Sequence, residues 1–67
     1  MNTFIEKHSQ PTIENLHILK KESEITNRLI IEVLNGVFTR NLKQLITHYW
    51  EVNDTIKQIE DNLYAKK

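Results

Sequence analysis

Sixty-seven residues, 39% of them hydrophobic, allow one small domain whose core supplies only about 3–5 kcal/mol. Nine Lys+Arg balance nine Asp+Glu, which excludes the one-signed field that gathers nucleic acid or an anionic membrane surface. Absence of Cys removes disulfides, thiolate zinc sites and thiol nucleophiles, and fits a reducing, cytoplasmic setting. Apolar runs do not exceed three residues, as in Leu29-Ile30-Ile31, against roughly 18 for a membrane span. Glu6, Lys7 and His8 stand where a secretory leader would place its apolar centre, so none is expected.

Residues 1–9 read as a flexible arm, with Phe4 and Ile5 able to fold back as a hydrophobic staple. Ser9-Gln10-Pro11-Thr12 then offers two capping hydroxyls and a proline where first-turn amides have no helical partner to lose. A first helix is predicted over about 11–35, with Glu14 near its positive end. Its seam runs through Ile13, Leu16, Leu19, Ile30, Val33 and Val37, but Ser23 and Thr26 hold the positions between. Ile18, Ile25 and Leu29 form a neighbouring stripe.

Asn35-Gly36 between apolar runs would suit a strand hairpin, so the downstream period must decide. Leu42, Leu45, Tyr49, Val52, Ile56, Ile59 and Leu63 recur at alternating spacings of three and four, which only a helix produces. Gly36 therefore reads as the left-handed residue after a helix end. The second helix is predicted over about 39–65, with Thr39 as its cap and Lys66 and Lys67 near its negative end. Neither repeats nor low-complexity segments are present.

The expected fold is all-α: a single-domain, two-helix antiparallel hairpin over 1–67, each helix roughly 36 Å long. Equal lengths and a short loop set Ile30 near Lys43 and Leu16 near Lys57, give or take a turn. Apolar residues are unevenly spread, with 12 in the 22 positions from Leu29 to Trp50. A hairpin needs one stripe per helix, and this half holds nearly two, with Ile46 and Trp50 beside the seam and Ile31, Leu34 and Phe38 widening the first helix. Each large side chain left in water forgoes roughly 1.5–3 kcal/mol, so the surplus points to a protein interface. The expected partner is a second copy forming a four-helix bundle, or another protein. Leu34, Phe38, Leu42, Leu45, Ile46, Tyr49 and Trp50 are the expected contact residues, with Tyr49 and Trp50 as anchors.

Glu14-x-x-His17 carries the Glu/His spacing found in carboxylate-bridged metal bundles, and the register brings Glu60 towards Glu14. Lys57 would crowd such a site, and Ile13 and Leu16 turn the core face elsewhere, so no metal or other cofactor is expected. His48-x-x-Glu51 is the reverse order and reads as a local ion pair at most. No Ser, His and acid share a readable spacing, no glycine-rich loop cradles phosphate, and two helices alone enclose no desolvated pocket. Neither catalysis nor a small-molecule substrate is expected. For RNA or DNA the candidates are Arg28, Arg40 and Lys43, with Lys20 and Lys21 further along. Glu32 interrupts them, whereas phosphate neutralisation needs one sign on one face.

Residues 39–49, Thr-Arg-Asn-Leu-Lys-Gln-Leu-Ile-Thr-His-Tyr, resemble in outline the second helix of the small aspartyl-phosphate phosphatases of sporulation, which are helical hairpins. Thr39 stands in place of that family's Ser and Lys43 in place of its essential Asp, so the resemblance implies shape and no activity. Size and shape are also similar to secretion co-chaperones and small phage inhibitors. The sequence thus leads to a non-catalytic interaction protein (adaptor, co-chaperone or inhibitor) working through an apolar helical face. A dimeric RNA- or DNA-binding regulator and a carboxylate-histidine metal bundle are the alternatives.

Overall fold

The computed structural model describes residues 2–36 and 41–65. Three helices follow in order: α1 (Thr3–Lys7), α2 (Ile13–Leu34) and α3 (Leu42–Tyr64). The all-α hairpin is present as α2 and α3, which pack along their lengths, and among the described residues no strand forms. No helix among them is long and apolar enough to cross a membrane.

Each helix begins on a side-chain oxygen that accepts an otherwise orphaned amide. Thr12 caps α2 by accepting from the Asn15 N–H at 3.1 Å. Asn41 caps α3 by accepting from the Gln44 N–H at 3.2 Å. The sequence expectation of Thr39 in that role is corrected: α3 starts later, on an Asx side chain that reaches the third amide without help. Val37, Phe38, Thr39 and Arg40 lie outside the described residues, as do Lys66 and Lys67. At the end of α2, the Asn35 N–H bonds Ile31 O and the Gly36 N–H bonds Val33 O, both at 3.0 Å. Gly36 has φ +78°, the left-handed conformation its sequence position implied.

Residues 1–9 depart from the expected loose arm, because Thr3–Lys7 form α1, capped by Asn2 and docked on α3. Phe4 and Ile5 account for it: both pack against the core cluster of Leu16, Leu19, Val52 and Ile59. The staple is thus a short helix laid beside α3, with Ile5 and Glu6 level with Asp54 and Thr55.

The buried set is small and displaced from the turn. Among the described residues only Leu16, Leu19, Thr26, Val52, Thr55 and Ile59 are buried, and Leu19 and Val52 have 0% exposure. Of the crowded apolar segment, all ten described members between Leu29 and Trp50 keep some exposure. Phe4 and Ile5 of α1 cover part of the buried cluster, with α1 lying along residues 43–55 of α3. The two polar seam positions are absorbed, Thr26 by burial and Ser23 by donating to Asn53 Oδ1 at 2.9 Å. Glu22–His48 and Ser23–Asn53 contacts straddle the register expected from equal helix lengths.

Leu19→Ala is expected to cost about 3 kcal/mol, the loss of transfer free energy plus a cavity that two helices cannot collapse. In urea denaturation followed by circular dichroism, that loss takes nearly the whole transition. Gly36→Ala meets no atom within 4 Å, so its cost is the backbone alone, about 1 kcal/mol in the same assay.

Candidate interaction face

The seven expected contact residues fall into three groups. Leu42, Leu45 and Tyr49 lie on the seam towards α2 and are half-buried. Ile46 and Trp50 lie one position further round α3 and face outward, Trp50 with 70% of its surface exposed. Leu34, in the last turn of α2, is 67% exposed, and Phe38 lies outside the described residues. Ile31, nearly half exposed, adds to the same half of the hairpin.

At 100° per residue, Lys43, Ile46, Trp50, Asp54 and Lys57 form one stripe along α3, and every one of them is exposed. A shallow groove beside Trp50 is lined by Tyr49, Glu51, Asn53, Asp54 and Lys57. Asp54 is itself held by Gln58, whose Nε2 donates to Asp54 Oδ2 at 3.2 Å. Asn53 marks the flank: Oδ1 accepts from Ser23 of α2, while Nδ2 donates to Tyr49 O at 3.0 Å. The helix α1 runs along the flank of His48, Glu51 and Thr55, where Asn2 and Thr3 share a groove with Lys43 and Ile5 and Glu6 share one with Asp54, and Ile46 and Trp50 lie beyond it.

That flank carries a polar tie that joins all three helices. His48 Nε2 lies 2.7 Å from Glu22 Oε2 on α2, and His48 Nδ1 lies 2.7 Å from Asn2 Nδ2 at the head of α1. Asn2 also donates to Glu51 Oε1 at 2.9 Å, while its Oδ1 accepts from the Ile5 N–H at 3.3 Å. Because Oδ1 serves the cap, the amide nitrogen must face His48. Nδ1 then accepts, and the imidazole tautomer protonated at Nε2 satisfies both neighbours. Phe4 closes the arrangement, meeting the His48 ring edge-on at 6.0 Å between centroids and His8 at 4.6 Å.

The sequence offered His48 a local ion pair with Glu51 at most, and the structure shows a long-range contact with Glu22 instead. The register held the signal, since it sets residue 22 opposite residue 51, one turn from His48. Asn2 had no such signal, because its partners lie 46 and 49 residues away across a bent chain.

The other candidate groups are dispersed. Glu14 and His17 are both exposed, and Glu60 turns to Lys20 at 3.2 Å instead of to Glu14. Among the described residues no three His, Asp or Glu side chains are placed to share a metal ion. Arg28 and Lys43 are exposed on different helices, and Arg28 has Glu24 and Glu32 four residues to either side on its own stripe. Arg40 lies outside the described residues. The chain matches no protein-family model, no curated protein and no solved structure at a significant level.

His48→Ala removes one partner from Glu22 and one from Asn2. A cost of about 1 kcal/mol is expected, since the pair is only about three-quarters shielded. Amide exchange at Ile5 and Glu6 should rise as α1 loses its anchor, whereas Glu22→Gln, which keeps an acceptor oxygen, should change it less.

Proposed function

We propose that this chain is a non-catalytic interaction protein that works by presenting the apolar turn-proximal half of its hairpin to another protein chain. One observation carries the reading: Trp50, Leu34, Ile31 and Ile46 stand exposed within the segment Leu29–Trp50, of whose described apolar side chains none is buried. Such residues cost a marginally stable domain solvation free energy unless a partner covers them, and aromatic anchors dominate the energetics of interfaces. The titratable side chains with close partners support the same reading, because Glu22–His48 and Lys20–Glu60 tie helices together. An adaptor, co-chaperone or inhibitor in the cytoplasm fits this design. The partner is a protein surface, with neither a cofactor nor a small-molecule substrate.

The double substitution Ile46→Ala with Trp50→Ala separates the face from the fold. Exposed positions contribute little to the isolated hairpin, within about 0.5 kcal/mol each, so helicity by circular dichroism should persist. Assembly, measured as mass by light scattering and as recovery of a stoichiometric bound protein from the native host, should be lost. Unchanged mass together with unchanged recovery would overturn the proposal.

A further inference from the structure

The exposed stripe on α3 is ordered in charge as well as in hydropathy: Lys43, Ile46, Trp50, Asp54. With Lys57 outside the overlap, these four read backwards become acid, aromatic, aliphatic, base, the complement of the forward order. Two copies of α3 laid antiparallel about a two-fold axis between Ile46 and Trp50 therefore set Ile46 against the other copy's Trp50, and Lys43 beside the other copy's Asp54. A parallel arrangement would set Lys43 against Lys43 and Asp54 against Asp54. We infer that the occupant of this face is a second copy of the chain, docked antiparallel, α3 on α3, through Ile46 and Trp50 with reciprocal Lys43–Asp54 pairs.

Three features of the molecule favour that occupant. Isologous contact requires a self-complementary patch, and the stripe meets the requirement in both shape class and charge. The helix α1 runs along one edge of the stripe, with Asn2 and Thr3 by Lys43 and Ile5 and Glu6 by Asp54, and leaves Ile46 and Trp50 on the other edge clear for the second copy. The face is also no part of the core: Leu16, Leu19, Val52 and Ile59 pack on the seam, whereas Ile46 and Trp50 stay 39% and 70% exposed. The product is a four-helix bundle with short α1 helices at its outer edges. This inference rests on the interaction reading and names the partner.

Charge reversal tests it on the full chain. Lys43→Glu places an acid beside the other copy's Asp54, and Asp54→Lys places two bases together. The axis applies each change twice, so each single variant should raise the half-dissociation concentration about tenfold. Mixing the two single variants in equal amounts should restore wild-type affinity, because in the mixed dimer every acid on the stripe again meets a base. The double variant, with both charges exchanged on one chain, should also associate like wild type. Light scattering gives the mass, and emission from Trp50, the single Trp of the chain, moves to shorter wavelength when the face is covered. Circular dichroism of each variant confirms that the hairpin is intact.

A wild-type chain that stays monomeric at millimolar concentration overturns the inference. So does association without rescue in the mixture, which would mean another register or another face. If the chain is monomeric yet still recovers a bound protein through Ile46 and Trp50, self-docking fails while the interaction reading stands. If neither association nor recovery depends on those residues, both fall.

Discussion

Two helices packed side by side cannot bury a row of side chains unaided, because each seam residue is shielded on the inner side and open above and below. The rest of this structure depends on that geometric limit. Leu19, Val52 and Ile59 are sealed at the end where α1 adds a third layer through Phe4 and Ile5. Leu42, Leu45 and Tyr49 belong to the same heptad seam and stay half-buried, although Asn2 and Thr3 of α1 lie at their level beside Lys43, Gln44, Thr47 and His48. The contrast within one seam shows that an apolar side chain at a seam position does not by itself set the degree of burial. It also gives the open half of the hairpin a physical reason to bind.

Attachment of that third layer is specific as well as apolar. A five-residue helix cannot hold itself together in water, since nucleation costs more than its few hydrogen bonds return. Asn2 offsets part of that cost by capping α1 while donating to His48 and Glu51. His48 in turn reaches Glu22, so the cap of α1, the register of α2 against α3 and the closure of the core are coupled in one set of contacts. Ser23 with Asn53 performs the same registering task on the other flank. Polar residues inside an otherwise apolar seam thus act as keys that reject a one-turn slip, a role like that of buried polar positions in coiled coils.

Much of the architecture was legible because it rests on local periodicity. The alternating three-and-four spacing from Leu42 to Leu63 set α3, Thr12 marked the start of α2, and Gly36 marked its end by the conformation that only glycine adopts cheaply. The apolar excess near the turn was legible from the same count, and so were Ile46 and Trp50 as its outward row. What escaped were features that need two distant segments at once. Residues 3–7 are too short to show a period, and their helicity comes from contact with α3. The Glu22–His48 pair needed a register accurate to less than a turn, and equal helix lengths give it only to about one turn. Asn41 displaced Thr39 as a cap because both residue types suit the position and only the path of the chain chooses between them.

Length, neutral charge and 26 apolar residues in 67 by themselves determined that this chain is a helical hairpin with more apolar surface than a hairpin can hide. Those properties follow from side-chain size, spacing and the fixed pitch of the helix. Only the tertiary structure decided which seam residues are closed, because closure depends on the neighbours that pack around each of them. The same packing left Ile46 and Trp50 facing outward, with Lys43 and Asp54 on the edge beside α1. The surplus seen in the composition became a particular face with a particular polarity, since burial is a property of neighbours in space and not of residues in order.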